Sequence, residues 1–286
     1  MRALLFCLAA VKLFVASGAA TADGRHALVI ANGAYEHVTP LVNPLNDGRA
    51  MEALLKKMDF KVTLKTDLDR EEMGRAVSEF AGGIAEADAV LFFFSGHGVQ
   101  ALGSNYMVPV DAALGREGDI PFQAIRLDDI ANPLSVPRST LLMFIDACRN
   151  PFLTKGSAPA SRGLTYVSPK TDAFIAFATE PGNVASDGNG TNSPFTEALL
   201  ENLATPGEHF EITFQRIVRD VVTSTGGQQR PWLNMSSARS FIFLDDPKSI
   251  VAPVPVEVIV RPAPVPQCDR QYREAMASAR REEELS

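Results

Sequence analysis

Two apolar runs without polar alternation constrain this chain more than any other feature: Ala89 to Phe94 (AVLFFF) and Leu141 to Ile145 (LLMFI). A strand with one wet face alternates apolar and polar residues. A strand covered on both faces does not, and strands of that kind belong to parallel sheets held between helices. Each run ends abruptly in groups that carry chemistry: Ser95, Gly96, His97 and Gly98 follow the first, and Asp146, Cys148 and Arg149 follow the second. Ligands of parallel sheets collect beyond the carboxyl ends of the strands. The pattern therefore directs a His and a Cys toward one edge.

The surrounding sequence supplies the alternation of strand and helix that such a sheet needs. Arg25 to Ala31 (RHALVIA) reads as a strand closed by the turn pair Asn32-Gly33. Asn46 to Met58 reads as a helix, with Met51, Leu54, Leu55 and Met58 at helical spacing and Asn46 or Asp47 available as N-cap. Phe60 to Leu64 alternates like a strand, and Arg70 to Ile84 is an amphipathic helix ended by Gly82-Gly83. The second half repeats the rhythm with a short helix over Asp128 to Leu134, a strand over Ala173 to Ala178, and helices over Phe195 to Leu203 and Phe210 to Ser224. Ser240 to Leu244 (SFIFL) is available as the last strand. The expected fold class is α/β, with a mostly parallel sheet of about six strands and helices on both faces. The loops from Asn150 to Lys170 and Glu180 to Ser193 are long enough to expect a function of them.

A chain of 286 residues with 46% hydrophobic residues can bury one sizeable α/β domain. Its formal net charge of -7 argues against a nucleic-acid partner, which selects a basic face. Residues 1–22 have an Arg, an apolar stretch interrupted by Lys12, and small residues before Asp23, the layout of a cleaved secretory signal peptide; an anchoring helix is the alternative. The expected organisation is a signal peptide over 1–22, a globular domain over 23–246, and a Pro-rich linker with a charged tail over 247–286. The expected location is periplasmic or secreted, with membrane contact only through the signal peptide. Loss of Cys7 with that peptide leaves Cys148 and Cys268, and a Pro-rich stretch stands between them. A free Cys148 is the simpler expectation, as a nucleophile or as the small buried hydrophobe that cysteine often is.

No zinc-ligand spacing, nucleophile elbow or phosphate-binding glycine loop is present. His97 and Cys148 remain. Cysteine attacks carbonyls as the thiolate, so it needs a base nearby, and a His on a neighbouring strand can take the thiol proton and return it to a leaving amine. Gly98 leaves its backbone N–H unobstructed, and with the N–H of Cys148 it can receive an oxyanion.

In order along the chain, RHALVIAN, NDGRAM, FFFSGHG, FIDACRNP, FATEPGNVASDG, SPFTEALL and QQRPWLNMS resemble the caspase-fold cysteine peptidases, and within them the bacterial metacaspase-like group, from about Arg25 to Leu244. The His lies about 50 residues before the Cys, as in caspases. The resemblance implies a caspase-like sandwich and a peptide or protein substrate, with His97 as base and acid, Cys148 as nucleophile, and Gly98 with Cys148 as oxyanion donors. It implies an S1 pocket for a basic P1 residue lined by Asp146, two before the nucleophile, by Asp47, and by Ser95, two before the His. The Pro181-Gly182 pair places Asp187 where caspases keep the Arg that binds a P1 aspartate. Each has a plainer reading: Asp47 as helix cap, Ser95 as turn residue, Asp187 as Asx-turn residue. For Asp146 the plainer reading is weaker, because a carboxylate beside a buried strand needs a cation. No cofactor is required. Ca²⁺ is an option through acids such as Asp128 and Asp129, although Lys155 stands where another acid is expected, and capping of the helix after Leu127 is the simpler role. Self-cleavage is expected within Asn150 to Lys170, and homodimerisation through the last strand is left open. The alternative to an active endopeptidase is a silent caspase-fold interaction module.

Overall fold

The computed structural model describes residues 24–149, 172–180, 183, 185–188 and 190–246. The expected signal peptide, the expected self-cleavage loop and the Pro-rich tail lie outside the described residues.

The chain opens with β1 (Arg25–Ala31), α1 (Pro44–Lys57), β2 (Phe60–Thr66), α2 (Arg70–Gly82) and β3 (Ala89–Ala101). A hairpin strand β4 (Ser104–Met107), a short helix α3 (Ile120–Gln123) and the two-residue β5 (Ile125–Arg126) come next. The chain then forms α4 (Leu127–Leu134), β6 (Thr140–Arg149), β7 (Asp172–Phe177), α5 (Pro194–Asn202), α6 (Phe210–Ser224) and β8 (Trp232–Met235). The sheet runs β2-β1-β3-β6-β7-β8, parallel except for the last pair, with β4 and β5 attached to the extension of β3. This is the expected mostly parallel α/β sandwich.

The unalternated runs do what their composition requires. Phe92 and Phe94 of β3 face α2 and α4 together with Met143 and Ile145 of β6. Leu91 and Phe93, with Leu142 and Phe144, face α1, α5 and α6. From β1 the chain steps to β2 on one side and then to β3 on the other. That reversal opens a crevice at the carboxyl ends of β1 and β3, where open α/β sheets bind their ligands.

Three expectations need correction. The first helix begins at Pro44 with Asn43 as its N-cap, so Asn46 and Asp47 lie inside its first turn. Pro at the first helical position is compatible with the missing N–H there. Asp128 and Asp129 occupy the first turn of α4 without capping it: Arg126 is the N-cap residue and pairs with Asp128 at 3.3 Å. Among the described residues the last strand is β8, antiparallel to β7, and not Ser240 to Leu244. That segment makes only single bridges, to Pro206 and His209, while Phe241 and Phe243 enter the core over α6. Its alternation is real, but β8 has already taken the edge beside β7.

Phe210 is the hub of that layer. Its ring lies 5.5 Å from Phe144, 5.6 Å from Phe174, 5.9 Å from Phe214 and 5.7 Å from Phe243, and it is fully buried. Phe210→Ala is expected to cost about 3–5 kcal/mol, read as a fall in the urea midpoint at unchanged slope. A loss below 1 kcal/mol would show that this aromatic layer collapses around the gap.

Candidate active site

Strand β3 does not stop before its polar residues; it carries them. The parallel ladder with β6 continues through Ser95↔Asp146, Gly96↔Ala147, His97↔Cys148 and Gly98↔Arg149. His97 and Cys148 are thus register partners on adjacent strands, and the ladder spacing of roughly 4.8 Å brings their backbones together. Gly98 follows directly and also pairs with Met107 of β4. Strand periodicity sets Ser95 and His97 on one face, the face that α1 and α5 cover.

His97 is 3% exposed, held by the segment between β1 and α1. The Tyr35 ring packs 4.5 Å from the imidazole, and the Tyr35 hydroxyl accepts the His97 backbone N–H at 2.7 Å while donating to the Val108 carbonyl at 3.3 Å. This approach needs Gly96, since a Cβ there would lie 2.5 Å from the Tyr35 hydroxyl oxygen. The Thr39 carbonyl stands 2.7 Å from His97 Nε2. A carbonyl can only accept, so Nε2 carries the proton and Nδ1 is the basic nitrogen. Burial pulls the imidazole below its usual pKa, while the Thr39 bond and the Asp187 charge act the other way. Sequence reasoning missed Tyr35 and Thr39. Thr39 acts through its backbone, which leaves no side-chain signature.

The other site residues expected from sequence also converge. Asp47 is fully buried: Ser95 Oγ donates to Oδ2 at 2.9 Å, and Asn192 Nδ2 and the Ser193 N–H donate to Oδ1 at 2.9 and 3.1 Å. Asp146 Oδ2 accepts from the Thr196 hydroxyl at 2.6 Å and from the Ser193 hydroxyl. Ser193 is the N-cap of α5, its oxygen accepting the Thr196 N–H at 2.9 Å, so Asp146 sits at the positive end of that helix. Asp187 Oδ2 accepts from the N–H groups of Val42 and Asn43 at 3.2 and 3.4 Å. Ser95, Asp146 and Asp187 line one small cavity, closed further by Leu41 and Pro44.

Three carboxylates thus crowd a crevice, and among the described residues the charges acting on Asp47 and Asp146 are those of other acids. Burial pushes Asp47 up to about 6, against the bonds from Asn192, Ser193 and Ser95. Burial, and then the Asp47 charge, pushes Asp146 up to about 7. Among the described residues no group of three or more His, Cys, Asp or Glu is arranged to hold a metal ion.

A carboxyl whose pKa is raised by folding binds its proton more tightly in the folded state, so it favours folding at acid pH. That contribution disappears as pH rises through about 6 and 7. Asp146→Asn removes the charge and keeps the shape. The variant is expected to match the parent's thermal stability near pH 5 and to exceed it by pH 8, by on the order of 2 kcal/mol. A difference that stays constant over that range in thermal unfolding would contradict the raised carboxyl.

Comparison with known proteins fits this geometry. The family profile described as "Caspase domain" matches residues 24–242. Mouse Caspase-1 is 28% identical over 204 residues, covering 64% of this chain and 49% of the relative. The mouse homolog of Mucosa-associated lymphoid tissue lymphoma translocation protein 1 is 38% identical over 96 residues, 34% of this chain and 12% of the relative. The chain therefore spans half or less of the length of these relatives. Among solved structures, Caspase-1 from Spodoptera frugiperda shares the fold with a TM-score of 0.59 at 20% identity, covering 79% of this chain and 91% of that one. With its sheet order, its His/Cys strand register and a profile match that runs from β1 past β8, the chain belongs to the caspase domain family of cysteine peptidases.

Proposed function

We propose that this chain is an active cysteine endopeptidase of the metacaspase-like kind that cleaves after Arg or Lys. The observation that carries the reading is the crevice beside His97, where Asp146 and Asp187 line one cavity with Ser95 and Asp47 bonds Ser95, with no Lys or Arg bonded to these acids among the described residues. Burying several carboxylates costs stability unless a cation is brought to them. A guanidinium suits such a pocket because its planar fork bonds two acids at once, and Ser95 adds a neutral partner.

In this reading the chemistry runs through His97 and Cys148, register partners on β3 and β6. His97 Nδ1 takes the Cys148 thiol proton, and the Thr39 carbonyl keeps Nε2 protonated and the ring oriented. The thiolate attacks the scissile carbonyl carbon, and the N–H groups of Gly98 and Cys148 receive the oxyanion. As the C–N bond breaks, His97 gives its proton to the leaving amine, and the acyl group remains on sulfur as a thioester. Water then attacks with His97 as base, releasing the new carboxylate and the thiol. No metal enters these steps; Ca²⁺ would act as a regulator. The apolar leader over residues 1–22 supports export to the periplasm or the exterior.

Cys148→Ala and His97→Ala are expected to abolish hydrolysis of fluorogenic Arg-P1 and Lys-P1 peptides, assayed with reductant and with or without Ca²⁺. Because His97 is buried against Tyr35, its substitution should also lower thermal stability, unlike an exposed strand-tip residue. Turnover retained in Cys148→Ala would sink the nucleophile assignment. No turnover by the folded parent chain would assign it to the interaction-module class.

Asp146→Ala should lower kcat/KM for Arg-P1 peptides well over tenfold, as expected for a lost buried charge contact of about 2–5 kcal/mol. Asp-P1 peptides should not be cut. Unchanged Arg-P1 kinetics in Asp146→Ala, or efficient cleavage after Asp, would overturn the acidic pocket.

A further inference from the structure

We propose that Asn43 is a positioning residue through which one segment, residues 32–43, holds both the Asp187 wall of the pocket and the His97 ring. The inference rests on the peptidase reading above and adds a coupling between P1 recognition and the base. Asn43 is 3% exposed and stands at the N-cap of α1, where an Asn side chain ordinarily accepts an N–H of its own helix. It makes no such bond. Its amide instead donates to the Asp187 carbonyl at 2.5 Å, while the Val42 and Asn43 N–H groups take the Asp187 carboxylate.

The same segment serves His97 four residues earlier, through the Thr39 carbonyl, and again through Tyr35. Its base is braced. Asn32 accepts the Leu68 N–H at 3.0 Å, the Gly33 and Ala34 N–H groups donate to Asp67, and the Leu41 N–H donates to the Gly33 carbonyl at 3.0 Å. The first turn of α1 is tied to the Asp187 loop at two further points, Asn46 to the Thr191 carbonyl and Asp47 to Asn192 and Ser193. A displacement of Asp187 is therefore not absorbed at the base of the segment or by α1 and is passed to Thr39. The Asn43 bond to the Asp187 carbonyl and the Thr39 carbonyl against Nε2 are both made in the free protein, so one segment fixes the pocket wall and the base together.

Asn43→Ser tests this, because serine is a favoured N-cap and preserves α1 but cannot span to the Asp187 carbonyl; Asn43→Asp, isosteric and equally able to cap, cannot donate to it. Both variants are measured on Arg-P1 peptides and on peptides with citrulline, the neutral analogue of arginine. Alkylation of Cys148 by iodoacetamide, followed by peptide mass spectrometry, is measured without substrate. The expected result is a fall of about tenfold in kcat on both peptides and a similar fall in the alkylation rate, the size that slight misplacement of a reacting group produces. A change confined to KM for the Arg-P1 peptide, with kcat and alkylation as in the parent, would overturn the coupling. If the parent cleaves neither peptide, the peptidase reading fails while the alkylation rates still decide the role of Asn43.

Discussion

The parallel ladder between β3 and β6 is the constraint on which the site depends. Ten register pairs run from Ala89↔Thr140 to Gly98↔Arg149, the first six within the buried runs and the last four within the polar ones. Burial of alternating side chains against helices on both faces locks the register, since a slip of one residue would send every apolar group to the wrong layer. The polar residues that follow inherit that register. Packing in the core, and no local turn geometry, is what places His97 opposite Cys148 and Ser95 opposite Asp146.

Around that ladder the molecule accepts an electrostatic cost. Asp47 and Asp146 are buried beside one another, and among the described residues the groups that bond them are dipoles: the hydroxyls of Ser95, Ser193 and Thr196, the Asn192 amide and the Ser193 N–H at the start of α5. Dipoles hold the acids in place but do not cancel their charge, which is why burial still raises both groups. The strain is offset elsewhere by the phenylalanine layer over α6 and by the network in which Arg216 bonds Glu208, Asn202 and Thr205 at the α5–α6 junction. A rigid scaffold that carries a destabilised crevice is the expected division of labour between core and site.

What could be read from sequence was whatever rests on side-chain pattern. Unalternated runs, helical spacing and the Gly82-Gly83 stop foretold the parallel sheet and most of its helices; His97 and Cys148 stood out by residue type, while the acids Asp47, Asp146 and Asp187 were assigned to the pocket only by the resemblance to metacaspase-like peptidases. What escaped was whatever rests on backbone or on competition between segments. The β3–β4 hairpin turns at Leu102 and Gly103, both with positive φ, and leucine at such a position gives no turn signal. Ser240 to Leu244 alternates as a strand should, yet it lost the sheet edge to Trp232–Met235. The support of His97 comes from a carbonyl, and the true cap of α1 is an Asn whose side chain is engaged with Asp187.

Arg25, the first residue of β1, reaches across the fold to the far end of the described chain. Its guanidinium donates to the carbonyls of Phe243 and Ile242, 218 and 217 positions away, and stacks over the rings of Phe60 and Phe241. A peeling event that begins at either extremity of the domain must undo the same clasp. The two extremities are therefore a single point of weakness, and fraying at one of them loosens the other.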